Sequence, residues 1–454
     1  MMEENRSVAS PATPGVLRSL PSGWNRERLR RVAQVKLSSV NKKSVEVERP
    51  VRLCNYTDVY YQDSITGGLD LMQATASDSD VADLHLQAGD VIITKDSESW
   101  DDIGVPSYVE ETLPEVVCGY HLALLRPDLS SLVGRFLHYA LMSRTGAAQF
   151  HISAQGVTRY GLTQDAIKNV VVPLPPVRQQ RAIAEFLDKK TTGIDQIVED
   201  KARLIERLEE KRQAFIRHAV SRGLDEQRPT RDARLPWLES IPEGWDEVQI
   251  RFVARLESGH TPSRSKPEYW APEKLTVPWV TLADVWQMRE ARREYIEDTE
   301  EMISDDGIAN SGARVLPKGT VMLSRTASVG FSGIMARPMA TSQDFANWVC
   351  GPYLLPEFLL YVFRSMKPEF ERLMTGSTHQ TIYMPEIRRL MTPLPPREEQ
   401  EAIVRSLRAR LDPLDSAVRD IRTQLDALRE YRTSLITAAV TGQVDVRAST
   451  AAVA

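Results

Sequence analysis

The 454-residue chain lacks the features that mark several classes of protein. Its three cysteines, Cys54, Cys118 and Cys350, are far apart and show no C-x-x-C spacing, which excludes a disulfide framework and a zinc knuckle. No apolar run approaches the ~18 residues of a membrane-spanning helix, and the amino terminus has no apolar secretory core. The formal charge of −5 excludes nucleic-acid binding through bulk positive charge. The sequence therefore predicts a cytoplasmic protein that does not contact membranes.

Common catalytic and nucleotide-binding motifs are also missing. The chain has no GxxxxGK[ST] loop, GxGxxG, HExxH, GxSxG or NPPY-like tetrapeptide. Its seven histidines show no metal-ligand spacing. Glu209-Glu210-Lys211 comes closest to a nuclease cluster, but such a charge run is usually the solvated face of a helix. We expect no catalytic residue, no metal site and no cofactor in this chain.

What the sequence does contain is one long internal repeat. Pro173–Pro176 (PLPP) recurs as Pro393–Pro396, and Pro21–Trp24 (PSGW) recurs as Pro242–Trp245 (PEGW), with a spacing that is only one residue longer. Further identities follow the two PLPP motifs at the same spacing, at Gln180/Gln400, Ala182/Ala402, Ile183/Ile403 and Leu187/Leu407. The distance along the chain from 173 to 393 is called the repeat spacing below. The chain is therefore two tandem halves, and the period is too long for a solenoid repeat.

A long helix is predicted near the end of each half, after a short amphipathic one. The expected starts are Thr192, as an N-cap, and Asp412-Pro413, with proline at the first helical position. Asp195 and Asp415 would then face the positive ends of the helix dipoles. Glycine at 223 and at 442 is expected to end each helix after about 28 residues, or ~42 Å.

The apolar stripes of these two helices match position for position. Three-and-four spacing continues for about four heptads in both copies. Because both length and register are preserved, we predict an intramolecular antiparallel helix pair rather than two unrelated surface helices. The predicted seam consists of Ile194, Ile197, Val198, Ile205, Leu208, Phe215, Leu414, Ala417, Val418, Leu425, Leu428 and Leu435.

The regions that precede the helices have a mixed α/β character. Short β-type runs at Asp90–Thr94, Val117–Leu122 and Thr320–Ser324 alternate with helical stretches around Gly134–Gln149 and Pro356–Met374. The predicted organisation is a disordered tail (1–19), a first globule (20–176), a central helical spacer (177–225), a linker (226–241), a second globule (242–396), a C-terminal helical spacer (397–446) and a disordered tail (447–454).

This pattern resembles the specificity (S) subunit of type I restriction-modification enzymes. The resemblance rests on the duplicated Pro-x-Gly-Trp and Pro-Leu-Pro-Pro-x-x-x-Gln-x-x-Ile motifs and covers about residues 20–446. Further matching segments are Gly259–Ser263, Glu268–Trp270, Val277–Val280, Pro317–Arg325 and, in the first globule, Gly89–Lys95. The first globule departs from the family pattern at Lys36–Ser39 and Arg52–Val59.

The resemblance implies an α+β fold with two target recognition domains separated by two long antiparallel helices that form an intramolecular coiled coil. It implies a non-catalytic subunit that reads a bipartite double-stranded DNA site and docks two modification (methyltransferase) subunits on its helices, together with restriction (translocase/nuclease) subunits. S-adenosylmethionine, ATP and magnesium would belong to those partners. From the helix length we expect half-sites of ~3 to 5 bp and a gap of ~5 to 8 bp.

Candidate DNA contacts are polar, basic or aromatic residues in loops, the types that reach groove edges and phosphates. The alternative for every one is an ordinary solvated loop. In the first globule they are Lys36, Asn41, Lys42, Lys43, Tyr56, Tyr60, Tyr61, Lys95, Ser97, Thr158, Arg159 and Tyr160. In the second globule they are Thr261, Ser263, Arg264, Lys266, Ser324, Arg325, Thr326, Ser328, His379, Gln380 and Thr381.

Other matched residues have simpler interpretations. Trp24 and Trp245 are expected to be packing anchors. Gln180 and Gln400 are expected to brace the helix junctions. Two alternative functions stay open: a duplicated coiled-coil adaptor that binds protein ligands instead of DNA, and a cryptic nuclease or methyltransferase, which the missing motifs disfavour.

Overall fold

The computed structural model describes Leu17 and residues 19–289, 293–374 and 380–446. The chain divides into two compact units, one formed by Met1–Asp200 with Thr423–Ala454 and the other by Lys201–Arg422. The predicted tail 447–454 lies outside the described residues, as does most of the tail 1–19. Leu17 is buried, and its carbonyl accepts a hydrogen bond from Arg26 at 3.0 Å.

The first globule is built around a five-stranded sheet and a four-stranded sheet. In spatial order the larger sheet contains Ala33–Leu37, Leu122–Pro127, Val91–Thr94, Pro106–Val109 and Ser64–Ile65. The smaller contains Met72–Ala76, Arg49–Cys54, Leu113–Cys118 and His85–Leu86. Asn25–Arg28 pairs with Val171–Leu174 at the helix junction. The helices are Leu29–Val32, Tyr56–Tyr60, Asp78–Leu84, Gly134–Met142, Arg144–Ser153 and Gln164–Lys168.

The strand Val91–Thr94 is buried on both faces, which explains its uninterrupted apolar sequence. Val91 and Ile93 pack into one core cluster, whereas Ile92 packs into another. This strand confirms the prediction for Asp90–Thr94. The prediction of one run over Val117–Leu122 is wrong, because a turn separates the strands ending at Cys118 and beginning at Leu122.

The second globule has the same kind of architecture. Its five-stranded sheet contains, in order, Ala254–Ser258, Phe345–Cys350, Val321–Ser324, Ser332–Met335 and Tyr295–Ile296. A three-stranded sheet contains Glu301–Ser304, Leu275–Val280 and Ala340–Thr341. Asp246–Gln249 pairs with Met391–Leu394 at the junction. The α-helices are Trp286–Arg289, Asp305–Ala309, Pro356–Ser365, Lys367–Met374 and Met384–Ile387, and short 3-10 helices cover Ile250–Phe252, Pro267–Tyr269, Pro272–Lys274 and Leu282–Val285.

The segment predicted as a linker, 226–241, contains ordered secondary structure. Thr230–Asp232 pairs with Ser240–Pro242 as a two-stranded antiparallel sheet. Leu235 and Ile241 are buried in the core of the second globule's unit. The connection is therefore part of a folded domain rather than a free tether.

The long helices are longer than predicted. They span Val177–Arg222, 46 residues, and Arg397–Val440, 44 residues. The predicted starts at Thr192 and Asp412 are wrong, since each helix begins directly after its Pro-Pro. Pro413 lies inside the second helix. A proline there loses one backbone hydrogen bond, but buried leucines at 407 and 411 keep this face packed across the site.

Gly223 and Gly442 both adopt φ +73°, as the predicted helix ends require. The first helix stops immediately before Gly223, and the second stops two residues before Gly442. Each glycine also touches a tryptophan closely. A Cβ would lie 3.1 Å from the Trp245 ring at Gly223 and 3.2 Å from the Trp24 ring at Gly442.

The two long helices run antiparallel within each unit. Asp195 pairs with Arg432 at 2.9 Å in one unit, and Arg212 pairs with Asp415 at 3.1 Å in the other. These are equivalent pairs, because the two aspartates are separated by the repeat spacing and so are the two arginines. The expectation that the two aspartates face helix dipoles is therefore wrong: they lie in helix interiors and bind arginines.

The predicted seam is correct in part. Ile194, Val418 and Leu425 are buried, whereas Ile197 is 45% exposed and does not belong to the seam. Ile421, absent from the prediction, is buried. The remaining residues are partly buried: Val198, Ile205, Leu208, Phe215, Leu414, Ala417, Leu428 and Leu435.

The two glutamines brace the helix junctions as expected, through identical bonds. Gln180 Oε1 accepts from the Val133 N–H at 2.8 Å, and its amide donates to Ser131 O and Pro175 O. Gln400 Oε1 accepts from the Leu355 N–H at 2.8 Å, and its amide donates to Tyr353 O and Pro395 O. Both glutamines are fully buried. Such buried, fully bonded amides fix the start of each long helix on its globule.

The matched tryptophans also act as packing anchors. Trp24 donates its indole N–H to Gln179 at 2.8 Å, and Trp245 donates to Glu399 at 3.1 Å. Gln179 and Glu399 are themselves separated by the repeat spacing, so this contact follows the repeat as well.

Candidate nucleic-acid interface

In the first globule two separate candidate segments meet in a small sheet. Residues Asp96–Ser97, which follow the buried strand Val91–Thr94, pair with Tyr160–Gly161. Tyr160–Gly161 also pairs with Gln155–Gly156 as a hairpin. The candidates Lys95 and Ser97 therefore lie beside Thr158, Arg159 and Tyr160, although the two segments are far apart in the sequence.

Charged and aromatic groups cluster beside this small sheet. The Lys95 ammonium lies 4.6 Å from the centre of the Tyr120 ring and donates to Ser38 O at 3.3 Å. His121 Nδ1 lies 2.7 Å from Asp96 Oδ2, and Arg159 Nη2 lies 3.3 Å from the same ring nitrogen. The cluster presents cations and ring faces, the groups that contact phosphates and bases.

Three candidate tyrosines extend this surface. The rings of Tyr56 and Tyr60 are stacked at 5.5 Å, and Tyr61 meets Tyr60 edge-on at 4.9 Å. Tyr60 donates to Asp102 at 2.7 Å, and this hydrogen bond to a carboxylate raises the pKa of Tyr60 to about 12. Burial raises the pKa of Tyr56, while its hydrogen bond with Ser97 opposes the shift. Tyr61 is 74% exposed and available to a ligand.

The remaining candidates of this globule differ in availability. Lys36 is paired with Asp83 at 2.8 Å, so its charge already has a partner. Asn41 accepts from the Lys43 N–H at 2.8 Å, which forms a local turn. The side chains of Lys42 and Lys43 are exposed. Ser97 is 8% exposed, so little of it can touch a ligand.

The second globule joins the equivalent segments in the same way. Thr326 and Thr381 form an antiparallel bridge. The Ala327 N–H donates to Gln380 O, and the Ile382 N–H donates to Arg325 O, each at 2.8 Å. Both globules therefore tie the loop after a central strand to the segment that precedes the helix junction. His379 lies outside the described residues.

Not every candidate in this loop reaches the surface. Ser324 is fully buried, so its side chain has no surface with which to contact DNA, and we remove it from the interface. Arg325 is half-buried; its Nη1 lies 3.5 Å from Ile382 O, and its Nε has no partner among the described residues. Ser328 accepts a long hydrogen bond from Arg289 at 3.5 Å.

The other candidate loop of the second globule is held by aromatic rings. The Arg264 guanidinium lies 3.8 Å from the Trp270 ring centre and 5.3 Å from that of Trp279. It also pairs with Glu301 at 2.6 Å. Stacking on an indole orders an exposed arginine before any ligand arrives.

Polar contacts order the rest of this loop. Thr261 donates to Gln343 Oε1 at 2.6 Å, and Lys266 donates to the Tyr269 hydroxyl at 3.2 Å. The hydroxyls of Ser263 and Ser265 are 2.9 Å apart. The structure does not join this loop to the Thr326–Thr381 bridge by any direct bond among the described residues.

Several residues of these surfaces were not predicted as contacts. They are Tyr120, His121, Trp270, Arg289 and Gln343. Trp270 lies in the segment Glu268–Trp270, which matches the family pattern, so its place on this surface could have been inferred. The other four lie in segments that are distant in sequence from the candidate loops, and only the tertiary fold brings them together.

Groups of potential metal ligands are absent from the described part of both globules. No three His, Cys, Asp or Glu side chains converge there as metal ligands would. None of the described helices combines the length and apolar character needed to cross a membrane. The surfaces offer hydrogen-bond donors, cations and aromatic faces, a chemistry suited to recognition.

One family model matches both halves of this chain. The type I restriction modification DNA specificity domain matches twice, at residues 21–207 and 242–426. The MjaIX specificity subunit of a type I restriction enzyme, from Methanocaldococcus jannaschii, is 30% identical over 167 residues, 36% of this chain and 37% of that protein.

Solved structures share the fold over most of the chain. A chain from a structure of type I restriction-modification complex assembly and conformational transition has a TM-score of 0.70 and 19% identity, covering 94% of this chain and 100% of its own. The HsdS subunit from Thermoanaerobacter tengcongensis has a TM-score of 0.51 and 18% identity, covering 94% and 98%. The sequence resemblance and the expected fold class are thus confirmed. With two domain matches that together cover most of its length, this protein belongs to the type I restriction-modification DNA specificity family.

Proposed function

We propose that this protein is the DNA sequence-specificity subunit of a type I restriction-modification complex, in which each globule reads one half of a bipartite site. The observation that carries the proposal is the duplicated geometry. In both globules a loop leaving a central buried strand is tied by backbone bonds to a segment shortly before the helix junction, at Ser97–Tyr160 and Thr326–Thr381. Each presents polar and charged side chains suited to a DNA groove.

The long helices supply the spacer in this proposal. At ~1.5 Å per residue, 46 and 44 residues correspond to about 69 and 66 Å. We propose that the helices dock two modification subunits, joined by restriction subunits, in the cytoplasm. The chain itself would perform no catalysis, and S-adenosylmethionine, ATP and magnesium would be bound by its partners.

Methylome sequencing tests this function. The chain would be co-expressed with its cognate modification subunit in a host without other adenine methylation, and the methylated motif determined. We expect two short specified half-sites with an unspecified gap between them. A control lacking this chain should leave the DNA unmethylated.

Two outcomes would contradict the proposal. Methylation at an undivided motif would show that the two globules do not read separate half-sites. Failure of the assembled complex to bind DNA at any salt concentration would favour the adaptor alternative. A DNA-reading complex should bind at low salt and lose affinity steeply as the salt concentration rises, because it contacts phosphates.

A further inference from the structure

A charged contact between globule and long helix occurs at equivalent positions of the two halves, but the acidic and basic residues are exchanged between globule and helix. On the long helices, Asp188 and Arg408 are separated by the repeat spacing. In the globules, helices Gly134–Met142 and Pro356–Ser365 correspond, because the two bracing glutamines accept from the N–H group that immediately precedes each of them. Arg135 and Glu357 are each the second residue of their helix, and Tyr139 and Tyr361 are each the sixth.

In the first half the helix carries the acid and the globule the base. Arg135 Nε donates to Asp188 Oδ1 at 2.6 Å, and the Tyr139 hydroxyl donates to the same oxygen at 2.7 Å. Arg135 Nη1 also lies 3.5 Å from Glu110. The arginine is 22% exposed, so water screens this contact only in part. Although burial opposes it, the bonds with Asp188 raise the pKa of Arg135.

In the second half the helix carries the base and the globule the acids. Arg408 binds Glu294 through Nε at 3.1 Å and through Nη2 at 2.5 Å, and it lies 3.5 Å from Glu357. The Tyr361 hydroxyl donates to Glu294 at 2.6 Å, and Tyr295 donates to Glu357. Burial would raise the pKa of Glu294, but the hydrogen bonds from Arg408 and Tyr361 outweigh it and lower that pKa.

The tyrosine is retained in both halves while the ion pair is reversed. Each tyrosine donates to the carboxylate of its contact, whichever element supplies that carboxylate. If the first globule were placed on the second helix, Arg135 would meet Arg408. Two like charges at this distance in a partly buried contact repel instead of attracting.

We propose that this exchanged ion pair is a docking code that orients each globule on its own helix. A globule can then function at the other position only if the helix residue is exchanged with it. The residues concerned position the reading surface and do not touch DNA. The part of the code that concerns DNA reading rests on the proposed function, whereas the docking itself does not.

A charge-reversal cycle in the first half tests the docking without DNA. The full chain would carry Arg135→Glu, Asp188→Arg or both, and thermal unfolding would be followed by calorimetry. We expect each single change to lower the Tm of the transition by about 3–6 °C. The double change should recover at least half of the summed loss. The arginine introduced at position 188 would then face two acidic residues of the first globule, Glu110 and the glutamate introduced at position 135, as Arg408 faces two acidic residues in the second half.

The matched control is Arg31→Glu, because Arg31 is 67% exposed and pairs with Glu27, a near neighbour in the sequence. That change should shift the Tm by less than about 1 °C. If the double variant is as unstable as the two single losses added together, the two charges are not coupled and the code is refuted.

A chimera then tests whether a globule can function at the other position. Residues 20–176 would replace 242–396, and the helix residue 408 would be kept as arginine or changed by Arg408→Asp or Arg408→Ala. We expect the aspartate form to have the highest Tm and, in the assembled complex, to methylate a motif built from the first half-site alone. Equal Tm values for all three forms would overturn the proposal. A stable aspartate form that supports no methylation would leave the code standing and count against the proposed function instead.

Discussion

We propose that Arg325 reads a base in the second half-site. Its backbone is fixed on both sides, since its N–H donates to Asp344 O and its carbonyl accepts from Ile382. Among the described residues its guanidinium is engaged only by one long bond, at 3.5 Å. An arginine with an anchored backbone and spare donors suits bidentate contact with a guanine edge.

We expect Arg325→Ala to relax one position of the second half-site and to cost about 1–3 kcal/mol of binding free energy. The measurement is the methylated motif together with binding of the assembled complex to variant duplexes. Arg337→Ala is the control, because Arg337 is half-exposed and engages Asp298 and Glu297 O. An equal loss on every sequence would instead identify Arg325 as a phosphate contact, and no loss would remove it from the interface.

Single residues also show which side-chain contacts a sequence pattern can predict and which it cannot. Gln180 and Gln400 were predictable braces because the repeat preserves them next to a fixed Pro-Pro. Ser324 was misjudged, since alternation along a strand cannot reveal that both sheet faces are covered. Asp195 and Asp415 were misjudged because the arginine that binds each of them lies in the other half of the sequence.

At the scale of elements, the long helices are tied together by two equivalent ion pairs with different burial. The side chains of Arg212 and Asp415 are 7% and 11% exposed, whereas those of Arg432 and Asp195 are 19% and 50% exposed. Such pairs are directional, so they fix which helix residues face each other better than an apolar stripe does.

Arg212→Leu should therefore destabilise the protein by about 3 kcal/mol, because it leaves a poorly hydrated carboxylate without this partner. Combining it with Asp415→Leu should recover most of the loss. Asp195→Leu should cost about 1 kcal/mol or less, since that carboxylate is half-exposed. Denaturant unfolding of the purified chain measures all three, and equal losses at both pairs would contradict this account.

At the scale of the whole molecule, the helix lengths should set the gap in the DNA site. The test deletes seven residues between Asp195 and Arg212 and seven between Asp415 and Arg432, which keeps both ion pairs and nearly keeps the helical phase. This shortens each helix by about 10.5 Å, or roughly 3 bp of duplex. We expect the methylated motif to keep both half-sites while its gap shrinks by about 3 bp. Alanine replacement of only the exposed residues in the two deleted segments should leave the gap as it was. An unchanged gap after the deletion would show that helix length does not set the gap.

The sequence by itself determined the duplication, the two mixed α/β globules, the helical body and the family, because these follow from local periodicity and from motifs that recur at a fixed spacing. It did not determine where the helices begin. Local signals at Thr192 and Pro413 favoured late starts, but packing of the buried face outweighed one lost hydrogen bond.

Only the tertiary structure decided which side chains share a surface and which charges face each other. Tyr160 meets Ser97 through strand pairing, and Arg408 meets Glu294 across a helix contact, although the two members of each pair are far apart in the sequence. Long-range contacts of this kind depend on how sheets and helices pack, and no spacing rule along the chain encodes that packing. The exchange of charge between Asp188 and Arg408 was visible in the sequence, but its meaning required the partners that the fold brings to each.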